Sequence, residues 1–279
     1  METLPDSVKP IEPFGAEVDL DLRDSENKEP LQALFETYGL LVFRNQSLTL
    51  DDQRRVMGYL GPVLEDWTSV GYVSNVREDG VLGNDELSFH LEMGATPKPF
   101  LGLSLHALDV EYEASATRFA SAARALSNLA AGTRERLRGL RIVNLFPVGE
   151  TALATRQRAD NYPDDAPKAV HPIVTTDPIT KSQVLVANQM MTDQIIGLEE
   201  DDSETLLGEV CGQLYAPDNI YEHLWRNGDI VIWSNYAVHH ARSALRPTSG
   251  RTLQRVCITD GTPDVYSYPA TRRKPKVLN

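Results

Sequence analysis

The chain reads as an α+β protein built around an antiparallel sheet sandwich with a few flanking helices. Short strand patterns dominate the second half, helical periodicity is confined to a few segments, and no GxGxxG or GxxxxGK[ST] loop announces a parallel doubly wound sheet. The elements follow in order. Leu31, Leu34, Phe35 and Tyr38 recur at helical spacing, Gly39 ends that helix, and Leu40-Leu41-Val42-Phe43 is a buried strand. Thr49 with Asp51 and Asp52 caps a second helix, whose apolar stripe of Val56, Tyr59 and Leu60 runs up to Gly61-Pro62. From Val70 to Ala107 the pattern is short and turn-rich, and Leu101, Leu103 and Leu105 alternate with smaller residues as in a half-buried strand. Helical spacing returns at Thr117 to Leu129 and Arg134 to Leu140. A long irregular stretch through Asn161-Tyr162-Pro163-Asp164-Asp165 comes next. Val184-Leu185-Val186, Asp229 to Trp233 and Leu253 to Thr259 are strands, separated by an acidic helix from about Leu198 to Leu214. The run Glu199 to Asp202 suits the positive end of that helix.

The 279 residues are 41% hydrophobic and 24% charged, an ordinary globular composition, with no internal repeat and no linker, so residues 1–279 read as one domain. Lys and Arg number 27 against 40 Asp and Glu, a net charge of −13 that disfavours phosphate backbones and anionic membranes. A small-molecule partner is expected, not nucleic acid or membrane, and a homo-oligomer is compatible with the composition. No apolar run approaches the roughly 18 residues of a membrane helix, and the start lacks a signal-peptide pattern, so the expected location is cytoplasmic. Cys211 and Cys257 are too few for a disulfide framework or a cysteine-built metal cluster. Any metal must be held by histidines and carboxylates.

His90-Leu91-Glu92 offers such a pair, because alternate residues of a strand share a face and can point at one ion. The competing reading is a surface strand with two polar residues. His239 and His240, about 150 residues downstream, offer a third ligand. Adjacent residues of an extended segment point in opposite directions, so only one of the two faces the pocket, and spacing does not choose between them. Two histidines and a carboxylate make the facial triad of non-heme Fe(II) oxygenases; zinc competes, though its hydrolases usually carry HExxH, which is absent. Arg251 and Arg255 lie in or beside the last strand, where a buried guanidinium would bind a carboxylate through two N–H groups. Surface solvation is the alternative for both.

Taken jointly, these residues resemble the taurine dioxygenase (TauD/TfdA) family of Fe(II)- and 2-oxoglutarate-dependent oxygenases. Tyr38 to Arg44 and Leu48 to Gln53 look like its N-terminal helix, strand and helix. His90-Leu91-Glu92 stands at its His-x-Asp/Glu motif, and Thr117 lies 25 residues beyond Glu92, at its 2-oxoglutarate threonine. His171 to Val174 and Val186 to Gln189 are similar to its middle signature, and Asn227-Gly228-Asp229 to Asn235, His240, Arg251 and Arg255 to its closing pattern. The resemblance implies a double-stranded β-helix (jelly-roll, cupin-like) core. It implies Fe(II) held by His90, Glu92 and His240 rather than His239. Thr117 and Arg251 would bind 2-oxoglutarate, with O2 as co-substrate and Asn188 and Trp233 in supporting positions. Arg255 matches an arginine that meets the anionic end of the substrate. The glutamate in place of aspartate looks like the clavaminate synthase and asparagine oxygenase branch, whose substrates are amino acids or their derivatives. Glu86, where taurine dioxygenase has an asparagine, would share a face with Ser88, His90 and Glu92 and meet a substrate ammonium; an exposed loop carboxylate is the alternative. Trp67 to Tyr72 lacks the family's sulfonate-touching histidine, and Trp67 and Tyr72 are candidates for a substrate lid or for core packing.

The expected activity is oxidative decarboxylation of 2-oxoglutarate coupled to C–H oxidation of a small amino-acid-derived or amine-bearing metabolite. Hydroxylation is the default, since an intact Glu92 leaves no iron position for the chloride of a halogenase. Desaturation, epoxidation and cyclisation stay open. The rivals are a non-catalytic jelly-roll binding protein and a zinc hydrolase on the same ligands. His106, His171 and His223 are assigned to packing or surface.

Overall fold

The computed structural model describes residues 7–65, 70–114, 116–148, 153–160, 162–246 and 248–260. The chain opens with strands β1 (Val8–Pro10) and β2 (Ala16–Val18), helix α1 (Lys28–Tyr38), β3 (Leu40–Phe43) and helix α2 (Leu50–Leu60). It continues through β4 (Gly71–Ser74), β5 (Gly80–Leu82), β6 (Leu87–His90), β7 (Gly102–Val110) and β8 (Ala116–Ser121) to the short helices α3 (Ala122–Asn128) and α4 (Ala131–Arg136). Next come β9 (Arg141–Leu145), β10 (Lys168–Pro172), β11 (Val174–Thr176), β12 (Gln183–Leu185), β13 (Thr192–Ile195) and α5 (Glu200–Leu214). The last four strands are β14 (Ile220–Leu224), β15 (Ile230–Ser234), β16 (Val238–Arg242) and β17 (Arg251–Ile258).

Among the described residues the strands form an eight-stranded sheet, β1-β2-β3-β15-β7-β17-β4-β5, a four-stranded sheet, β14-β8-β16-β6, and two small ones, β10-β9-β13 and β11-β12. The two larger sheets are the double-stranded β-helix. A shared core fills the space between them. Leu40, Leu103, Leu105, Trp233, Leu253 and Cys257 from the larger sheet meet Phe119 and Val238 from the smaller. The other face of the larger sheet is covered too, since Leu41, Phe43, Ile230, Ile232 and Ile258 pack on Leu31 and Phe35 of α1 and on Val56 and Met57 of α2. Burial on both faces explains why β3 and β15 are continuous apolar runs, and it corrects the half-buried expectation for Leu101 to Leu105, because most of β7 is buried.

The early helices end where the sequence predicts. Gly39 takes a φ of +66° that side chains avoid, and its N–H bonds the Phe35 carbonyl. Thr49 and Asp52 form a reciprocal capping box. One expectation is overturned: Thr117 to Leu129 is not a helix throughout. Residues 116–121 are strand β8, and only Ala122–Asn128 is helical. Alanine-rich spacing suits a helix locally, but β14 and β16 pair with both edges of this segment, and that non-local ladder decides. The helix expected over Arg134 to Leu140 likewise stops at Arg136, and Arg141 opens a strand. No helix among the described residues is long and apolar enough to cross a membrane.

Candidate metal and co-substrate site

The smaller sheet presents its inward side chains in two ladder rows. His90 of β6 lies opposite His240 of β16, His240 opposite Phe119 of β8, and Phe119 opposite Tyr221 of β14. In the next row Arg242 lies opposite Thr117, and Thr117 opposite His223. Directly opposed residues share a face, so these side chains converge on the interior. Across the gap, β17 turns Arg251, Leu253, Arg255 and Cys257 inward by simple alternation, and Arg251 Nη2 reaches Thr117 Oγ1 at 3.1 Å.

The first row holds a three-residue cluster. Ligand atoms of His90, Glu92 and His240 all lie within 4.8 Å of one another, a span that one ion can bridge. Glu92 Oε2 is 3.4 Å from His90 Nε2 and 3.8 Å from His240 Nε2, and the two ring centroids lie 4.2 Å apart with the planes tilted by 46°. A carbonyl can only accept, so the 2.8 Å contact to Ser88 O puts the proton of His90 on Nδ1 and leaves Nε2 as the free lone pair. Glu92 is not on the strand, as alternation implied, but in the turn that follows it. Asn235 fixes it there by accepting from the Glu92 N–H at 2.8 Å and donating to the Glu92 carbonyl at 2.9 Å. Burial opposes ionisation of this carboxyl, but the adjacent His90 ring and the charge of Arg255 outweigh it and hold its pKa at about 2. Burial pushes His240 well below its ordinary range, which favours the neutral, ligating form.

His239 takes the opposite side of β16. Its Nδ1 accepts from the Tyr215 hydroxyl at 3.1 Å, its Nε2 bonds Leu185 O at 3.2 Å, and burial lowers its pKa to about 4. Trp233 walls the inner side, 5.0 Å from His240 and 5.2 Å edge-on to Phe119.

Both arginines are buried, which overturns the surface alternative. Arg255 Nη1 stands 3.8 Å from Glu92 Oε1, and its Nε has no partner. Arg251 has no carboxylate partner among the described residues, and its Nε and Nη1 are buried without partners. Burial, with Arg242 nearby, acts strongly against its charge. A guanidinium stripped of water with two free N–H groups is a receptor for an anion, and a carboxylate fits its fork.

Other expectations fare differently. Glu86 is exposed and precedes β6, so it does not share the strand face with His90. Tyr72 pairs opposite Gln254, whose side chain bonds Gln53 of α2, so Tyr72 lies on the helix-covered face, with Arg77 at 3.9 Å over its ring. It is no lid. Trp67 lies outside the described residues. Asn188 holds a tight turn by accepting from the Met191 N–H, and His106, His171 and His223 are buried. Sequence reasoning assigned no role to Asn235 or Trp225. Asn235 carried a signal, its place directly after the strand Ile230–Ser234, but its partner lies 143 residues away.

Residues 7–257 match the model of the "Taurine catabolism dioxygenase TauD, TfdA family". Pentalenolactone F synthase of Streptomyces arenae is 27% identical over 87% of this chain and 89% of its own length. The (S)-phenoxypropionate/alpha-ketoglutarate-dioxygenase of Sphingobium herbicidovorans is 27% identical over 80% and 83%. A taurine dioxygenase structure from Burkholderia xenovorans superposes with a TM-score of 0.73 over 90% of each chain at 22% identity. The structure of AAD-2 with Mn(II) and N-oxalylglycine superposes with a TM-score of 0.77 over 92% of this chain and 98% of its own, at 20% identity, so both share the fold.

Proposed function

The chain belongs to the TauD/TfdA dioxygenase family, and from that premise we propose that His90, Glu92 and His240 hold Fe(II), that Thr117 and Arg251 hold 2-oxoglutarate, and that the enzyme hydroxylates a small anionic molecule. It is an oxidoreductase of the α-ketoglutarate-dependent class, which uses Fe(II), 2-oxoglutarate and O2. The observation that carries the assignment is the joint placement of the three-residue cluster and of Arg251, whose free N–H groups await a carboxylate. When bound, iron and 2-oxoglutarate supply the O2-dependent oxidative decarboxylation that drives C–H oxidation.

The protein's part is positioning. Ser88 O orients His90 so that Nε2 faces the ion, Asn235 sets the backbone of Glu92, and Trp233 and Phe119 keep water from the inner wall. Arg255, beside Glu92, binds the anionic end of the substrate. The substrates named for two relatives, phenoxypropionate and 2,4-dichlorophenoxyacetate, are carboxylates, in keeping with this reading. Glu86, exposed just before β6, gives no support to the amine-bearing expectation. The reading takes residues 1–279 as one oxygenase domain acting on a small molecule in the cytoplasm. Anaerobic titration of the apo-protein with Fe(II) and then 2-oxoglutarate tests it: a weak visible charge-transfer band is expected, and its absence with folded protein would sink the assignment. Succinate release on a panel of carboxylates and amines then sorts the substrate class, with carboxylates expected to respond.

A further inference from the structure

Thr117 Oγ1 sits in an unusual position: both neighbours that reach it are donors. The Trp225 indole Nε1–H donates to it at 2.9 Å and Arg251 Nη2 at 3.1 Å. A hydroxyl has two acceptor lone pairs and one donor proton, so these two bonds use its whole accepting capacity. Its proton is given to no acceptor among the described residues, and the unpartnered Nε and Nη1 of Arg251 belong to the same guanidinium that reaches it. Trp225 is itself held: it is buried, His223 packs edge-on against it at 4.5 Å, and the Arg251 guanidinium lies 5.9 Å from its ring. His223 in turn is fixed by Tyr221 at Nδ1 and Asp229 at Nε2.

We infer that Trp225 is a positioning residue for the co-substrate: its indole N–H polarises Thr117 so that the hydroxyl acts as a donor to the carboxylate bound by Arg251. This rests on the assignment of Thr117 and Arg251 to 2-oxoglutarate. Without the indole N–H, one lone pair of Thr117 is empty, the hydroxyl can turn, and the donor set of the cavity loses its fixed direction.

The test is a double-mutant cycle read as the 2-oxoglutarate Kd of the anaerobic Fe(II) protein, with the Fe(II) Kd as a second readout. Trp225→Phe is expected to weaken 2-oxoglutarate about three- to tenfold and leave the Fe(II) Kd unchanged, the effect of one lost neutral hydrogen bond. In a Thr117→Val background, which has no hydroxyl to orient, the same change is expected to add less than about twofold. Should Trp225→Phe not fold, benzothienylalanine at position 225 keeps the shape and deletes only the N–H. An equal loss in both backgrounds would mean that Trp225 acts by packing and would overturn the inference, as would no loss in the wild-type background. A wild-type protein that binds Fe(II) but no 2-oxoglutarate would overturn the underlying assignment as well, and that outcome is visible before any variant is made.

Discussion

Two histidine–carboxylate clusters lie inside the same sandwich, in adjacent ladder rows of the smaller sheet, and they differ in what is left over. In the first, His223 bonds Asp229 through Nε2 and Tyr221 through Nδ1, while the Asp229 carboxylate also takes Arg44 at 2.6 Å and the Arg226 N–H. The charges and ring nitrogens there are answered from within the chain. In the second, around Glu92, His240 Nδ1, Arg255 Nε and two nitrogens of Arg251 have no partner. Buried polar groups without partners cost stability, so a fold retains such a set where a ligand completes it. A histidine beside a carboxylate is therefore poor evidence of a site; unmet bonding capacity around it is better evidence.

The sharpest break in this comparison is at the open cluster around Glu92. His90→Ala or His240→Ala is expected to abolish Fe(II)-dependent succinate formation while the far-UV circular dichroism is kept. His239→Ala, one residue away on the opposite face, is expected to retain metal and turnover and to lose stability instead. At the closed cluster the effect reverses in kind. Asp229→Ala takes the Nε2 partner from buried His223 and one of two carboxylates from Arg44, which keeps Glu17, and a loss of about 1–3 kcal/mol is expected in denaturant melts, with little change in Fe(II) affinity. Arg251→Ala deletes a charge that has no partner, so thermal stability should hold or rise while 2-oxoglutarate binding weakens by about 2–3 kcal/mol in the anaerobic titration.

A pH experiment sharpens the same contrast. His223, His239 and His240 are all held below the ordinary 6.5 by burial first, so the unfolded chain binds more protons than the folded one as pH falls. Their contribution is therefore intact above 6.5 and is lost on acidification, for His239 down to about 4. The apo-protein should lose stability across that window in urea melts, and Fe(II) should shield it by occupying His240. The smallest effect is expected at the exposed Glu86: Glu86→Gln should change stability by under about 0.5 kcal/mol and leave the Fe(II) and 2-oxoglutarate constants unmoved. A large rise in substrate KM for that variant would restore the ammonium contact.

Several elements were legible because their signals are local. The Gly39 stop, the Thr49–Asp52 capping box and the apolar runs of β3 and β15 each follow from residues within a few positions of one another. Strand β8 was not, since Thr117 to Ser121 opens an alanine-rich segment with helical spacing and is a strand through two partners about 100 and 120 residues away. The same holds within the site. Glu92 was found by its spacing from His90, but the turn that aims it depends on Asn235, and the environment of Thr117 depends on Trp225 and Arg251.

By itself the sequence determined the classes of ligand available: with two cysteines and six histidines, a metal here falls to histidine and carboxylate, and the order of motifs carries the family resemblance. It also determined the alternation that sends His239 and His240 to opposite faces. Which of the two faces the cavity was a matter of resemblance until the ladder set His240 opposite His90. Only the tertiary structure decided that Arg251 and Arg255 are buried, that Glu86 is exposed, and that one histidine–carboxylate cluster is closed while the other is open. Residue type fixes what a side chain can bond. How much of that capacity is already used is set by groups far away in the chain, and no local pattern records it.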